Sequence, residues 1–211
     1  MSTSRSFQDC AVELVARHAP KGCTVLDLGA GSGVFVDRLA AKGFAVTAAD
    51  LTPEHCKVPC IRVDLDTDFT QQFSDKYDAI CFFEVLEHLK NPRETLHRCL
   101  SLLNDDGILF FSTPNASGIY SRVKFLFTGE MAMFSDLHYE GMGHITPITH
   151  WQMEKMIREQ GLRILEEVDF DGSARLPKTF GDVAKRASWI LRPLMRGHVG
   201  TQVMLFAASP E

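Results

Sequence analysis

The chain has 211 residues, long enough to bury a sizeable core as one domain. Hydrophobic residues make up 45% and charged residues 23%, and 22 Lys plus Arg against 27 Asp plus Glu leave a net charge of -5. This composition excludes collagen-like, disordered and secreted mini-protein classes and argues against a general polyanion binder; no apolar run reaches the roughly 18 residues of a membrane helix, and residues 1–7 lack a signal-peptide core. Ser4–His18 reads as a helix with Phe7, Ala11, Leu14 and Val15 on one face, stopped by Pro20-Lys21-Gly22. Cys23–Leu28 is a short apolar strand, and Val34–Ala41 is a helix ending at Gly43. Phe44–Ala49, Cys60–Val63 and Tyr77–Phe83 are the next strands. The last of these is apolar almost throughout, as in a strand buried on both faces of a parallel sheet.

Asn91-Pro92 opens a helix as N-cap and first helical residue, with Leu96, Leu100 and Leu103 facing inward. Asp105-Asp106-Gly107 is expected to turn the chain into a fifth strand, Ile108–Ser112. Strand–helix alternation of this kind predicts a doubly wound α/β sheet. The segment that follows is rich in Phe and Met, notably Phe125, Leu126, Phe127, Met131, Met133 and Phe134, and reads as a cap over the strand ends. Thr149–Gln160 is a helix with a capping-box-like Thr149 and Gln152, and Leu162–Asp169 and Thr201–Ala207 are the last two strands. Between those strands, Ser173–Gly200 carries six basic residues and one acid. It reads as a surface helix with its basic face in water, or as a contact for an anionic membrane. The six cysteines, Cys10, Cys23, Cys56, Cys60, Cys81 and Cys99, read as reduced thiols of a cytoplasmic protein. Cys56 and Cys60 are spaced C-x3-C, with no second pair to complete a zinc site.

The most informative stretch is Asp27-Leu28-Gly29-Ala30-Gly31-Ser32-Gly33, between the first strand and its helix. Alternate glycines let backbone approach a ligand closely at a helix N-terminus. Val34 stands where the dinucleotide fingerprint needs its third glycine, which disfavours a nicotinamide oxidoreductase. Asp50 ends the second strand, where a carboxylate can accept both ribose hydroxyls.

These residues resemble the class I S-adenosylmethionine-dependent methyltransferases, strongly over Cys23–Asn115 and loosely beyond. The resemblance implies a Rossmann-like doubly wound, seven-stranded α/β sheet with the last strand antiparallel. It implies one domain over 1–211, with the cap at about 115–148 and the basic helical insertion at about 173–200. It also implies that Asp27, Gly29, Ala30, Gly31 and Gly33 cradle the methionine part of S-adenosylmethionine. Asp50 and Leu51 would then hold the ribose, and Asp64 and Leu65 would meet the adenine, with Asp66 a competing choice.

After the fourth strand comes Phe83-Glu84-Val85-Leu86-Glu87-His88-Leu89. Read as helical from Val85, it puts Glu84, Glu87 and His88 on one face, a set that suits Mg2+ or another divalent cation. With Ser112-Thr113-Pro114-Asn115, this stretch resembles the ubiquinone-biosynthesis O-methyltransferases more closely. It is also similar to small-RNA 3′-terminal 2′-O-methyltransferases, which bind a metal with two Glu and two His. A downstream His is present as His144, with His138 as its rival. Two readings stay open: a cation on Glu84, Glu87 and His88, or metal-free chemistry by His88, His144 and Glu84 with His144 as general base. The plainer alternative makes the two glutamates solvated helix acids and His88 a packing residue. The expected activity is O-methylation of a small, largely apolar, hydroxyl-bearing acceptor. RNA 2′-O-methylation and non-catalytic cofactor binding are the alternatives, and the oligomeric state is not legible.

Overall fold

The computed structural model describes residues 6–170 and 202–211, so the basic stretch 173–200 lies outside the described residues. Helix α1 (Phe7–His18) begins three residues later than expected, because Ser6 caps it in a reciprocal box with Asp9. Strand β1 (Thr24–Leu28), α2 (Val34–Ala41), β2 (Ala45–Asp50), β3 (Cys60–Arg62) and β4 (Tyr77–Phe82) follow close to their sequence bounds. Next come α3 (Pro92–Ser101), capped by the Asn91 side chain, and the long β5 (Leu103–Pro114). Helices α4 (Ile119–Thr128) and α5 (Asp136–Met142) form the cap segment. Helix α6 (His150–Glu159), with the expected Thr149–Gln152 capping box, leads to β6 (Leu162–Phe170), and β7 (Val203–Pro210) closes the chain.

The seven strands form one sheet in the order β3-β2-β1-β4-β5-β7-β6. Strands β1 to β5 pair in parallel, and β7 runs antiparallel between β5 and β6, as the resemblance implied. The order reverses between β1 and β4, so the carboxyl ends of those strands splay apart and leave a crevice. The sheet is buried on both faces. Leu26, Ile80, Phe82, Leu109 and Phe111 pack on one side with Leu96 of α3 and Met153 and Ile157 of α6. Val25, Ala79, Cys81, Ile108 and Phe110 pack on the other with Leu14 and Val15 of α1 and Leu39 of α2. Three rings tie the middle together: Phe82 stacks on Phe111 with centroids 5.1 Å apart, and Phe111 on Phe206 at 5.5 Å.

Two local expectations need correction. Asp105-Asp106-Gly107 does not turn the chain into a new strand. Strand β5 already starts at Leu103, and the register with β4 shifts between Tyr77 and Ala79, so the acidic stretch is an irregularity within the strand. Leu103 therefore lies on β5 rather than on the inner face of α3. It packs so close to Gly107 that a Cβ there would sit 2.6 Å from the Leu103 Cγ. In the cap, Phe125, Leu126 and Phe127 point outward and are 50%, 72% and 68% exposed, whereas Met131, Met133 and Phe134 are half-buried. Among the described residues, no helix is long and apolar enough to cross a membrane. Cys23, Cys56, Cys60, Cys81 and Cys99 are free thiols.

Phe111→Ala removes the ring shared by both stacks and leaves a cavity in the centre of the sheet. It is expected to lower unfolding free energy by about 3–5 kcal/mol, read as a fall in the urea midpoint at unchanged slope.

Candidate functional site

A cleft of about 310 Å3 opens at the carboxyl ends of β3, β2, β1 and β4. The sheet order lays out its polar groups in a row: Asp64 after β3, Asp50 at the end of β2, Gly29 after β1 and Glu84 after β4. Gly29 has φ +80, and a Cβ there would meet the Val85 Cγ2 at 2.5 Å. A side chain at 29 would thus be strained and would also collide with the opposite wall. Gly31 and Gly33 also have positive φ, and Gly33 is the N-cap of α2. The amides of Gly29 and Ala30 both donate to the Ala49 carbonyl, at 2.8 and 3.1 Å, which ties the turn to β2.

Asp50 organises the turn on both sides. One carboxylate oxygen accepts from the Gly31 amide at 2.8 Å and the other from the Thr52 amide at 2.8 Å. The second of these oxygens also accepts the Thr52 hydroxyl at 3.1 Å, so it is the oxygen on the Gly31 amide that keeps a lone pair for a further donor. Leu51, 57% exposed, stands at the rim, and Leu65 lines the floor. Asp64 and Asp66 both line the cleft, but their partners differ. The Asp66 carboxylate accepts the Lys90 amide at 2.9 Å, whereas, among the described residues, the Asp64 carboxylate accepts the amide of Asp66 within its own turn. Asp27 does not line the cleft. It is 3% exposed within β1, has an oxygen with no partner, and its pKa is pushed from 3.8 up to about 7 by burial and then by the Asp50 charge.

Beyond Glu84 the helix expectation fails. Glu84 itself has φ +54, and Leu86–His88 make a single 3-10 turn. Glu84 turns to Ser112: the Ser112 hydroxyl donates to its carboxylate at 2.7 Å and accepts from its amide at 2.9 Å. Burial lifts its pKa to about 7 despite that donor. Glu87 is fully buried, and neither carboxylate oxygen accepts a hydrogen bond, although one lies 3.9 Å from the His88 Nε2. Its pKa is pushed well up by burial and then by the Glu84 charge.

Two histidines close on Glu87. The Nδ1 of His88 lies 3.2 Å from the Gly143 carbonyl, and the Nδ1 of His144 lies 2.9 Å from the Met133 carbonyl. A carbonyl only accepts, so each Nδ1 carries the proton and each Nε2 is left with a lone pair. The rings meet edge to face with centroids 4.9 Å apart. Burial lowers the His144 pKa. One ligand atom each from Glu87, His88 and His144 lies within 4.8 Å of the others. Among the described residues this is the set that could hold a cation, so His144 takes the place the sequence assigned to Glu84. Two imidazoles and one carboxylate suit a transition ion better than Mg2+, which prefers oxygen ligands. His138 is outside this set, its Nδ1 2.7 Å from the Ser135 hydroxyl.

Sequence reasoning missed the Glu84–Ser112 pair and the two carbonyls that orient the imidazoles. The Ser-Thr-Pro-Asn stretch was the available signal for Ser112; a backbone carbonyl leaves none in residue identity.

A family model described as a methyltransferase domain matches residues 5–167. A ubiquinone biosynthesis O-methyltransferase of Xanthomonas axonopodis pv. citri is 37% identical over 111 residues, covering 47% of this chain and 46% of that protein. The chain thus spans about half the length of the curated relatives it matches. Among solved structures, a SAM dependent methyltransferase from Archaeoglobus fulgidus superposes with a TM-score of 0.66 at 19% identity, covering 97% of this chain and 95% of the other. A magnesium protoporphyrin IX methyltransferase from Synechocystis, solved with bound SAH, gives 0.62 at 16% identity, covering 97% and 82%. At those identities the likeness shows the fold.

The buried carboxyls set a pH dependence. Asp27 and Glu84 keep their protons to about pH 7 in the folded chain but lose them near pH 4 when unfolded. The folded state therefore binds more protons across that window, and stability is full below the unfolded values and falls as pH rises through the folded ones. The thermal midpoint of the protein without added ligand is expected to fall from pH 5 to pH 8, and Asp27→Asn should flatten the decline.

Proposed function

The chain belongs to the methyltransferase domain family, and on that premise we propose that it moves the methyl group of S-adenosylmethionine onto a hydroxyl oxygen of a small, largely apolar acceptor. The observation that carries this reading is the row of groups along the sheet edge, from Asp64 and Asp50 past Gly29 to Glu84 and His88. The Asp50 oxygen that accepts the Gly31 amide keeps a lone pair for a ribose hydroxyl. Leu51 and Leu65 offer apolar faces to an adenine, and Asp64, more lightly engaged than Asp66, is the acceptor for its amino group. The glycine turn 29–33 admits the methionine part close to backbone.

S-adenosylmethionine supplies a methyl group already activated on a sulfonium. The chain's own residues then have two tasks: to align the acceptor oxygen with that carbon and to take the hydroxyl proton. Alignment alone can supply roughly 7–11 kcal/mol of the barrier. His144 suits the second task, since its Nδ1 is committed to the Met133 carbonyl and burial keeps the ring neutral with Nε2 free to accept. Phe134, with its ring 5.7 Å from that of His144, and Val85 and Leu89 of the cleft supply apolar contact for the acceptor. The Xanthomonas relative's name, an O-methyltransferase, supports oxygen as the acceptor atom.

The buried Glu87 carboxylate, which accepts no hydrogen bond, favours a second form of this reading, with a divalent cation. Glu87, His88 and His144 would hold it, and a bound cation would lower the pKa of an acceptor hydroxyl.

S-adenosylhomocysteine is expected to stabilise the protein, by roughly 2.7 kcal/mol at 100 times its dissociation constant, and NAD is not. Asp50→Ala should weaken that binding by about 1.5–3 kcal/mol in calorimetry. Equal stabilisation by NAD would overturn the cofactor assignment. A tritiated-methyl screen of phenolic, quinol, sugar, peptide and RNA acceptors, with and without anionic vesicles, tests the acceptor class; transfer to RNA or free sugar alone would overturn it. For the cation, titration with Mn2+, Co2+ or Zn2+ should show binding that Glu87→Gln and His144→Ala abolish. Full activity in a chelator would leave His144 as a metal-free base.

A further inference from the structure

Cys56 and Cys60 bracket the loop that supports the glycine turn from outside the cleft. Cys56 ends the 3-10 turn Pro53–His55, and Cys60 begins β3. Both are half-buried free thiols, and both pack with Val58 against the small cluster of Ala30, Val36 and Ala48. Beside that shared cluster, the Cys56 thiol is one of the groups that push the Cys60 thiol up, after burial. The loop between them is fastened to the turn. The Lys57 amide donates to the Ser32 carbonyl at 3.2 Å, and a Cβ at Gly33 would sit 3.1 Å from the Cys56 sulfur. The Cys56 thiol therefore forms part of the seat on which Gly33 rests.

We propose that Cys56 and Cys60 are a reversible disulfide pair, closed by exchange with a small-molecule disulfide such as oxidised glutathione, and that closure weakens cofactor binding. The thiolate of Cys56 attacks one sulfur of the small disulfide, whose S–S bond breaks and releases one thiolate. The thiolate of Cys60 then attacks the Cys56 sulfur of the mixed disulfide and releases the second. Two protein thiols are oxidised, one small disulfide is reduced to two thiols, and both thiol protons are taken up by the departing thiolates. Burial and then the neighbouring Cys56 push the Cys60 thiol up to about 12, which makes its step of the closure slow. A disulfide brings its sulfurs to roughly 2.05 Å, far inside any non-bonded sulfur contact. Closure must draw Cys56 off the Gly33 seat and pull on the Lys57–Ser32 bond, so the turn that faces the cofactor is displaced.

This inference rests on the S-adenosylmethionine reading of the cleft, and the test separates the two. The whole protein is incubated in oxidised or reduced glutathione, mapped by peptide mass spectrometry and titrated with S-adenosylhomocysteine. The expected result is a Cys56–Cys60 cross-link lacking two hydrogens and an affinity about fivefold or more weaker, restored by reductant. The double variant Cys56→Ser, Cys60→Ser should bind equally under both conditions. A map without that cross-link, or cross-linked protein that binds as tightly as the reduced form, overturns the proposal. A reduced protein that does not bind S-adenosylhomocysteine overturns the cofactor reading instead, and the cross-link is then judged by the map alone.

Discussion

The close approach of Gly29 to Val85 governs the site. These residues face each other across the gap between β1 and β4, where the sheet order reverses. Only a residue without a Cβ lets the chain leave β1 at φ +80 and pass the valine. That passage sets where the turn 29–33 lies, and the Asp50 carboxylate then fixes it through the Gly31 amide. The opposite wall follows from the same contact. Val85 introduces the 3-10 turn that carries His88 into the cleft and Glu87 into the interior.

The site is built from groups that folding alone does not satisfy. Asp27 and Glu87 are buried with oxygens that accept no hydrogen bond, and Glu84 holds a left-handed conformation that no glycine relieves. Each such feature costs free energy, on the order of 1–3 kcal/mol for an unsatisfied polar group or a strained residue. The surrounding sheet can tolerate this because its core is continuous on both faces, with the Phe82–Phe111–Phe206 stack directly behind β4 and β5. Rigid strands below and unsatisfied groups above are the arrangement expected of a site that binds something.

Much of the frame is legible from local rules. The Thr149–Gln152 box, the Asn91 cap and the apolar runs of β1 and β4 act within a few residues, so their reading from sequence is sound. The errors have one physical origin. Residues 104–107 look like a turn but lie within β5 as an irregularity, inserted between the Tyr77–Leu103 and Ala79–Ile108 pairs that β4 makes on either side. Residues 84–88 have helical spacing, but Ser112, on the neighbouring strand, takes both the amide and the carboxylate of Glu84. In the cap segment, Phe125, Leu126 and Phe127 face outward because Ser121 and Val123 are the residues α4 turns inward.

The sequence by itself determined the doubly wound sheet, the glycine turn and the row of acids at the strand ends. Each of these depends on backbone periodicity or on residues adjacent in the chain. Only the tertiary structure decided which side chains meet at the far end of the cleft. His88 reaches the Gly143 carbonyl across 55 residues of chain, and Glu87 receives the amides of Ile145 and Thr146 through its own carbonyl. These contacts exist because the cap returns to the end of β4, and the imidazole tautomers follow from carbonyls whose positions no residue name encodes.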